Sequence, residues 1–179
     1  MRHIRRHLRL WRDDAGAAML EFALILPILM LMFLALVEFT DAFSVRRRVE
    51  ATAASVADLV AQSASVTDAD LDGILTFGAA IMRPYSATPL GIRVSSVVQN
   101  DEGQPVVAWS YGNGKLTARA DGSAFAVPAG LINETTGVVV AETSYVFTPV
   151  VGTYLLSGRT FTSTAYFRPR ILGTVDKAD

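Results

Sequence analysis

The stretch Ala15-Gly16-Ala17-Ala18-Met19-Leu20-Glu21-Phe22-Ala23-Leu24-Ile25-Leu26-Pro27, continued by Ile28-Leu29-Met30-Leu31-Met32-Phe33-Leu34-Ala35-Leu36-Val37, decides how this chain is organised. Glu21 is the only charge in these 23 residues. As a helix they extend about 34 Å, enough to cross a hydrocarbon core about 30 Å thick. Pro27 lies inside the run, which a membrane helix tolerates. Arg2, Arg5, Arg6, Arg9 and Arg12 precede it, and Arg46, Arg47 and Arg48 follow it. This bias favours a cytoplasmic N-terminus. The downstream arginines fall at the outer headgroup level or on a solvated helix face. A removable signal peptide is disfavoured: the run is too long, and Glu38 to Ser44 offers no small-x-small cleavage site.

The whole chain has 179 residues, 51% hydrophobic and 18% charged, room for one compact domain beside the apolar run. A net charge of −1 gives no electrostatic reason to expect nucleic-acid binding. There is no cysteine, and the two histidines are His3 and His7. Thiolate chemistry and Cys-based metal sites are thereby excluded, and most hydrolase and redox chemistry is disfavoured. No G-x-S-x-G, P-loop or H-E-x-x-H string occurs, so the expectation is a protein that is not an enzyme and carries no cofactor.

Glu21 requires a partner, because a carboxylate in an apolar helix is costly unless paired or neutralised. Arg12 is too far upstream to be its i,i+4 neighbour. A cut between Gly16 and Ala17 would create an α-amine four residues before Glu21, within reach of it in the same helix or an adjacent one. Snorkelling of Glu21 to the interface is the simpler alternative.

The string Gly16-Ala17-Ala18-Met19-Leu20-Glu21-Phe22 resembles a class III prepilin-peptidase site. With Pro27 and Val37-Glu38-Phe39 it resembles the TadE-like pseudopilins of tight-adherence (Tad, or Flp) pilus systems. Two later strings are similar to the same family. One contains Glu142, Tyr145, Phe147 and Pro149; the other is Ala165-Tyr166-Phe167-Arg168-Pro169-Arg170. Many members carry a cysteine pair in the globular part, which this chain lacks.

The resemblance implies a basic leader over 1–16, a membrane helix over 17–39 and a periplasmic α+β pilin-like domain over 40–179. Cleavage would follow Gly16, leaving Ala17 first; Glu21 would pair with an amine, and Pro27 would shape the helix. The implied partners are a prepilin peptidase, other pseudopilins and pilins, the assembly platform of the bacterial inner membrane, and the lipid bilayer. A chain of this size fits a minor pseudopilin that initiates or caps a pilus for surface adherence. The alternative is an unprocessed single-pass anchor carrying a periplasmic scaffold or binding domain.

Beyond the apolar run, Val45, Val49, Thr52/Ala53, Val56 and Leu59/Val60 recur at helical spacing, which predicts one helix from about 17 to 64. Thr67-Asp68-Ala69-Asp70 reads as the capped start of a second helix that ends before Pro84. Asp68-x-Asp70-x-Asp72-Gly73 also matches the first half of a calcium loop, but its twelfth position is Ala79 rather than glutamate. Strands are expected over 91–99, 105–111, 137–148 and 160–167, with a hairpin loop at 100–104 and an irregular stretch at 112–135. Trp109 and Tyr111 fall on one strand face and are expected to cover the long helix. Glu142 is expected to be a surface or charge-paired residue.

Overall fold

The computed structural model describes residues 14–149 and 158–178. Most of the expected leader (residues 1–13) and much of the 149–159 connector lie outside the described residues. One helix, α1, runs without a break from Asp14–Ala61. It starts three residues before the expected boundary and ends three before the expected close. Its first half is exposed on every side: Met19, Leu24 and Phe33 are all more than 60% accessible. The most apolar window has a mean hydropathy of 2.6 and no buried residue, which fits a membrane anchor. The second half buries Val45, Val49, Thr52, Ala53, Val56, Ala57 and Val60, the predicted i, i+3/i+4 stripe.

After a two-residue strand β1 (Ser65–Val66), helix α2 spans Asp68–Ile81. Its capping box is complete: the Asp70 N–H donates to Thr67 Oγ1 (3.2 Å), and the Thr67 N–H donates to Asp70 Oδ2 (3.0 Å). The two helices cross at Gly78. A Cβ there would lie 2.7 Å from Val56 Cγ2 and 3.1 Å from Ile92 Cδ1.

The strands β2 (Leu90–Gln99), β3 (Pro105–Asn113), β4 (Val138–Phe147) and β5 (Arg159–Phe167) form an antiparallel sheet in the order β3-β2-β4-β5. The expected α+β architecture is therefore present: a long apolar helix, a short helix and a small antiparallel sheet. Helix α1 lies over β4 and β5. Val139, Ala141, Tyr145 and Phe147 point from β4 into the main core. Val138 and Val140 point the other way, into a second core with Val97, Val107 and Phe125. The irregular 112–135 stretch thus covers the outer sheet face.

Trp109 and Tyr111 share the inner face, as expected, while a register shift between Ser96 and Val97 lets Val107 face outward. Trp109 lies in one core with Val56, Val60 and Ala61 of the long helix, and Tyr111 packs against that core. Other segments hold their polar atoms: Trp109 Nε1 donates to the Val175 carbonyl (2.6 Å) and the Tyr111 hydroxyl donates to Asp72 (2.7 Å). The C-terminal segment thus closes the core beside the long helix. Its strand β6 (Asp176–Lys177) pairs in parallel with β1, and Val175 is fully buried. A sequence reading that ends in a polar tail misses this strap.

Candidate functional site

Each side chain singled out in the sequence takes one of two kinds of position. Gly16, Ala17, Glu21 and Pro27 are exposed on α1. A Cβ at Gly16 would meet nothing within 4 Å, so no contact among the described residues explains a glycine there. The Gly16–Ala17 bond lies inside helical backbone, since α1 already begins at Asp14. Glu21 lies one helical turn beyond Ala17, so an amine at Ala17 and the Glu21 carboxylate would share one helix face. Pro27 has no N–H to give the Ala23 carbonyl, and the helix nevertheless continues through it.

Glu38 and Phe39 mark where α1 changes character, and the two residues behave oppositely. Phe39 is 65% exposed, whereas Glu38 is only 3% exposed. Both Glu38 carboxyl oxygens are buried without a hydrogen-bond partner among the described residues. Such a group carries its full desolvation cost. No sequence signal distinguishes this glutamate from a solvated one at the end of an apolar run.

The remaining motif residues hold the domain together. Glu142 faces outward from β4 and is chelated by two arginines, Arg93 Nε at 2.8 Å and Arg119 Nη2 at 2.8 Å. Neither arginine stood out in the sequence. Burial pushes the Glu142 carboxyl up, and the two guanidiniums more than offset that, leaving it below its ordinary value. The Tyr145 hydroxyl donates to the Ser86 carbonyl (3.0 Å), tying β4 to the 82–89 connection. Burial raises its ionisation point. Pro149 is buried where β4 ends. Arg168 donates to the Gly130 carbonyl (2.8 Å), and Pro169 is half-buried. Arg170 ties the strap to α1 through its backbone N–H on the Ala61 carbonyl (2.8 Å) and its side chain on Asp58.

The calcium-loop reading of Asp68, Asp70 and Asp72 does not match how these carboxylates are used. Asp68 pairs with Lys177 (2.9 Å), Asp70 caps α2 and Asp72 accepts from Tyr111. Hydrogen bonds from the Thr67 backbone and hydroxyl hold the Asp70 carboxyl below its ordinary value. Among the described residues no group of three His, Asp or Glu side chains is placed to hold a metal ion.

A family model described as TadE-like protein matches residues 16–58. No curated protein and no solved structure matches the chain. The matched residues begin at the glycine before the apolar run and end inside the buried stripe of α1. They take in both halves of the helix and the Glu38 transition between them, and over this span the chain is similar to TadE-like proteins.

Proposed function

We propose that this chain is a minor pseudopilin of a Tad pilus. It is cut after Gly16 by a prepilin peptidase and assembles with other pseudopilins and pilins, at the inner-membrane platform, to start or cap the filament. The N-terminus lies in the cytoplasm and the α+β domain in the periplasm. Its function is assembly rather than catalysis, and it uses no cofactor and no nucleic acid.

The observation that carries this reading is the two-sided character of α1 within the TadE-like span. Its first half has no apolar cover among the described residues, while its second half is the spine of the folded domain. Lipid can cover the first half before assembly and neighbouring helices can cover it afterwards. Ala23 and Ala35 are small enough to let such helices approach closely. Glu21 then takes the α-amine of Ala17, from its own or an adjoining subunit, which lowers the cost of its burial.

The test is the mature N-terminus, read by mass spectrometry of membrane-extracted protein from cells with and without the prepilin peptidase. A chain that begins at Ala17 only when the peptidase is present is the expected result. A chain that begins at Met1 in both would sink the pseudopilin reading and leave an unprocessed membrane-anchored scaffold.

A further inference from the structure

We propose that the membrane-side end of the domain is a cationic collar for the anionic phosphates of lipid headgroups in the leaflet where α1 emerges. The proposal rests on the reading of residues 17–39 as a membrane span, and goes beyond it by assigning a ligand to the domain itself.

Side-chain contacts fix the height of each element along α1. The Thr143 hydroxyl donates to the Val49 carbonyl (3.2 Å), and Arg170 reaches Ala61, so β4 runs down towards the membrane and β5 runs up. Phe147 is four residues below Thr143, about 13 Å of strand. That equals about nine residues of helix and sets Phe147 level with residue 40. Arg159 is the register partner of Phe147 and is exposed. Leu90 pairs with Tyr145 about half-way along this drop, and the backbone of Lys115, also exposed, lies against the adjacent Gly91. Arg48 donates to the Ile81 carbonyl (2.9 Å), which sets the end of α2, and the exposed Arg83 that follows it, near the height of residue 48, about 12 Å above Phe147. Arg47, exposed over the Phe43 ring at 5.9 Å, completes the ring of charge.

Four exposed cations from four separate parts of the chain, with the half-buried Arg48, therefore lie within about 12 Å of height above the end of the apolar segment. The acids at this height are already engaged. Asp41 accepts from the Tyr85 hydroxyl (3.3 Å), Glu50 pairs with Arg46 (3.0 Å), and Glu38 is buried. The connector 150–157 contributes no charge. The far end of the sheet has the opposite character: Asp101 and Glu102 sit on the β2–β3 hairpin, and Glu134 lies beside it. An anionic membrane surface thus attracts the domain collar-first. Bilayer occupies the space beneath the collar while α1 remains inserted, which favours headgroups over the acidic end of another subunit.

The test uses the full chain in nanodiscs of phosphatidylcholine, alone or mixed with phosphatidylglycerol. Native mass spectrometry reads which lipids stay with the protein. The wild type should retain phosphatidylglycerol above its bulk share. Arg83→Gln, Lys115→Gln and Arg159→Gln should each lower that preference about fivefold. The double variant Arg83→Lys/Arg159→Lys should keep it, because charge rather than guanidinium shape does the binding. Equal retention of both lipids by the wild type overturns the collar. So does unchanged lipid preference in a variant that combines the three Gln substitutions. Failure to enter either disc overturns the span and the collar together, so the two ideas fail distinguishably.

Discussion

Glu142 stands between Arg93 and Arg119, each 2.8 Å from one of its carboxyl oxygens. Arg93 comes from the neighbouring strand, while Arg119 comes from the 114–137 connection and stacks on Phe125 (4.8 Å). One carboxylate therefore fastens that connection to the sheet. Its folded-state pKa is depressed below the ordinary 4.5, so its contribution is present above that value and is lost as pH falls through the lower folded one. Glu142→Gln should lower stability by about 1–3 kcal/mol at neutral pH. It should also flatten the acid limb of the stability profile. Urea melts of both proteins at neutral and acid pH would show this; identical pH dependence would refute it.

Gly78 is the contact point of the two helices. A valine there would press on Val56, Ile92 and Thr52, all within 3.3 Å of the added Cβ. All three are β-branched, fully buried side chains that cannot turn aside freely. Gly78→Val should cost about 1–3 kcal/mol through overpacking, despite relieving the helical penalty of glycine. A thermal melt at or above that of the wild type would show the crossing to be looser than described.

Glu38 is buried with both oxygens unpartnered among the described residues. Replacing it by an apolar side chain of similar reach removes that cost. Glu38→Leu should raise stability by about 1–3 kcal/mol, and so raise the melting temperature by several degrees. A lower melting temperature in the full chain would mean that the carboxyl has a partner after all.

Trp109 ties the sheet to the C-terminal strap through a 2.6 Å hydrogen bond to the Val175 carbonyl. Trp109→Phe keeps most of the apolar contact and deletes the donor. The expected loss is about 0.5–1.5 kcal/mol. Faster proteolytic trimming after Phe167 should accompany it. Unchanged trimming would mean that the β1–β6 pairing and Arg170 hold the strap unaided.

Under the proposed function, Gly16 serves processing and Glu21 serves assembly, so substitutions at the two should have separate effects. Gly16→Leu adds a side chain that meets nothing, so the fold should be intact while the leader stays on. Glu21→Ala should be inserted and cut but assemble poorly. Immunoblots for leader removal, with pilus counts by electron microscopy, check both. Normal piliation in the two variants would remove the mechanism proposed for this segment.

The helices and strands were legible because their periods are long enough to register. The stripe from Val45 to Val60 repeats five times, and each of the four sheet strands shows turn residues at its ends. What a face packs against was less legible. Trp109 and Tyr111 alternate correctly, but nothing in their own strand says that Val175 and Asp72 hold their polar atoms. The strap is too short to show a period, and Arg119 lies in a stretch with none. Nothing in the run around Glu38 marks its carboxyl as buried.

Helix α1 is unbroken over 48 residues, about 72 Å. Its grip on the sheet is spread along its length, at Val49 through Thr143 and at Ala61 through Arg170. These anchor points lie about 18 Å apart on the helix, and β4 and β5 run alongside it. A pull on the apolar end is therefore carried straight into the domain, with no hinge to absorb it. The helix–sheet seam meets that load in shear, with its contacts strained together.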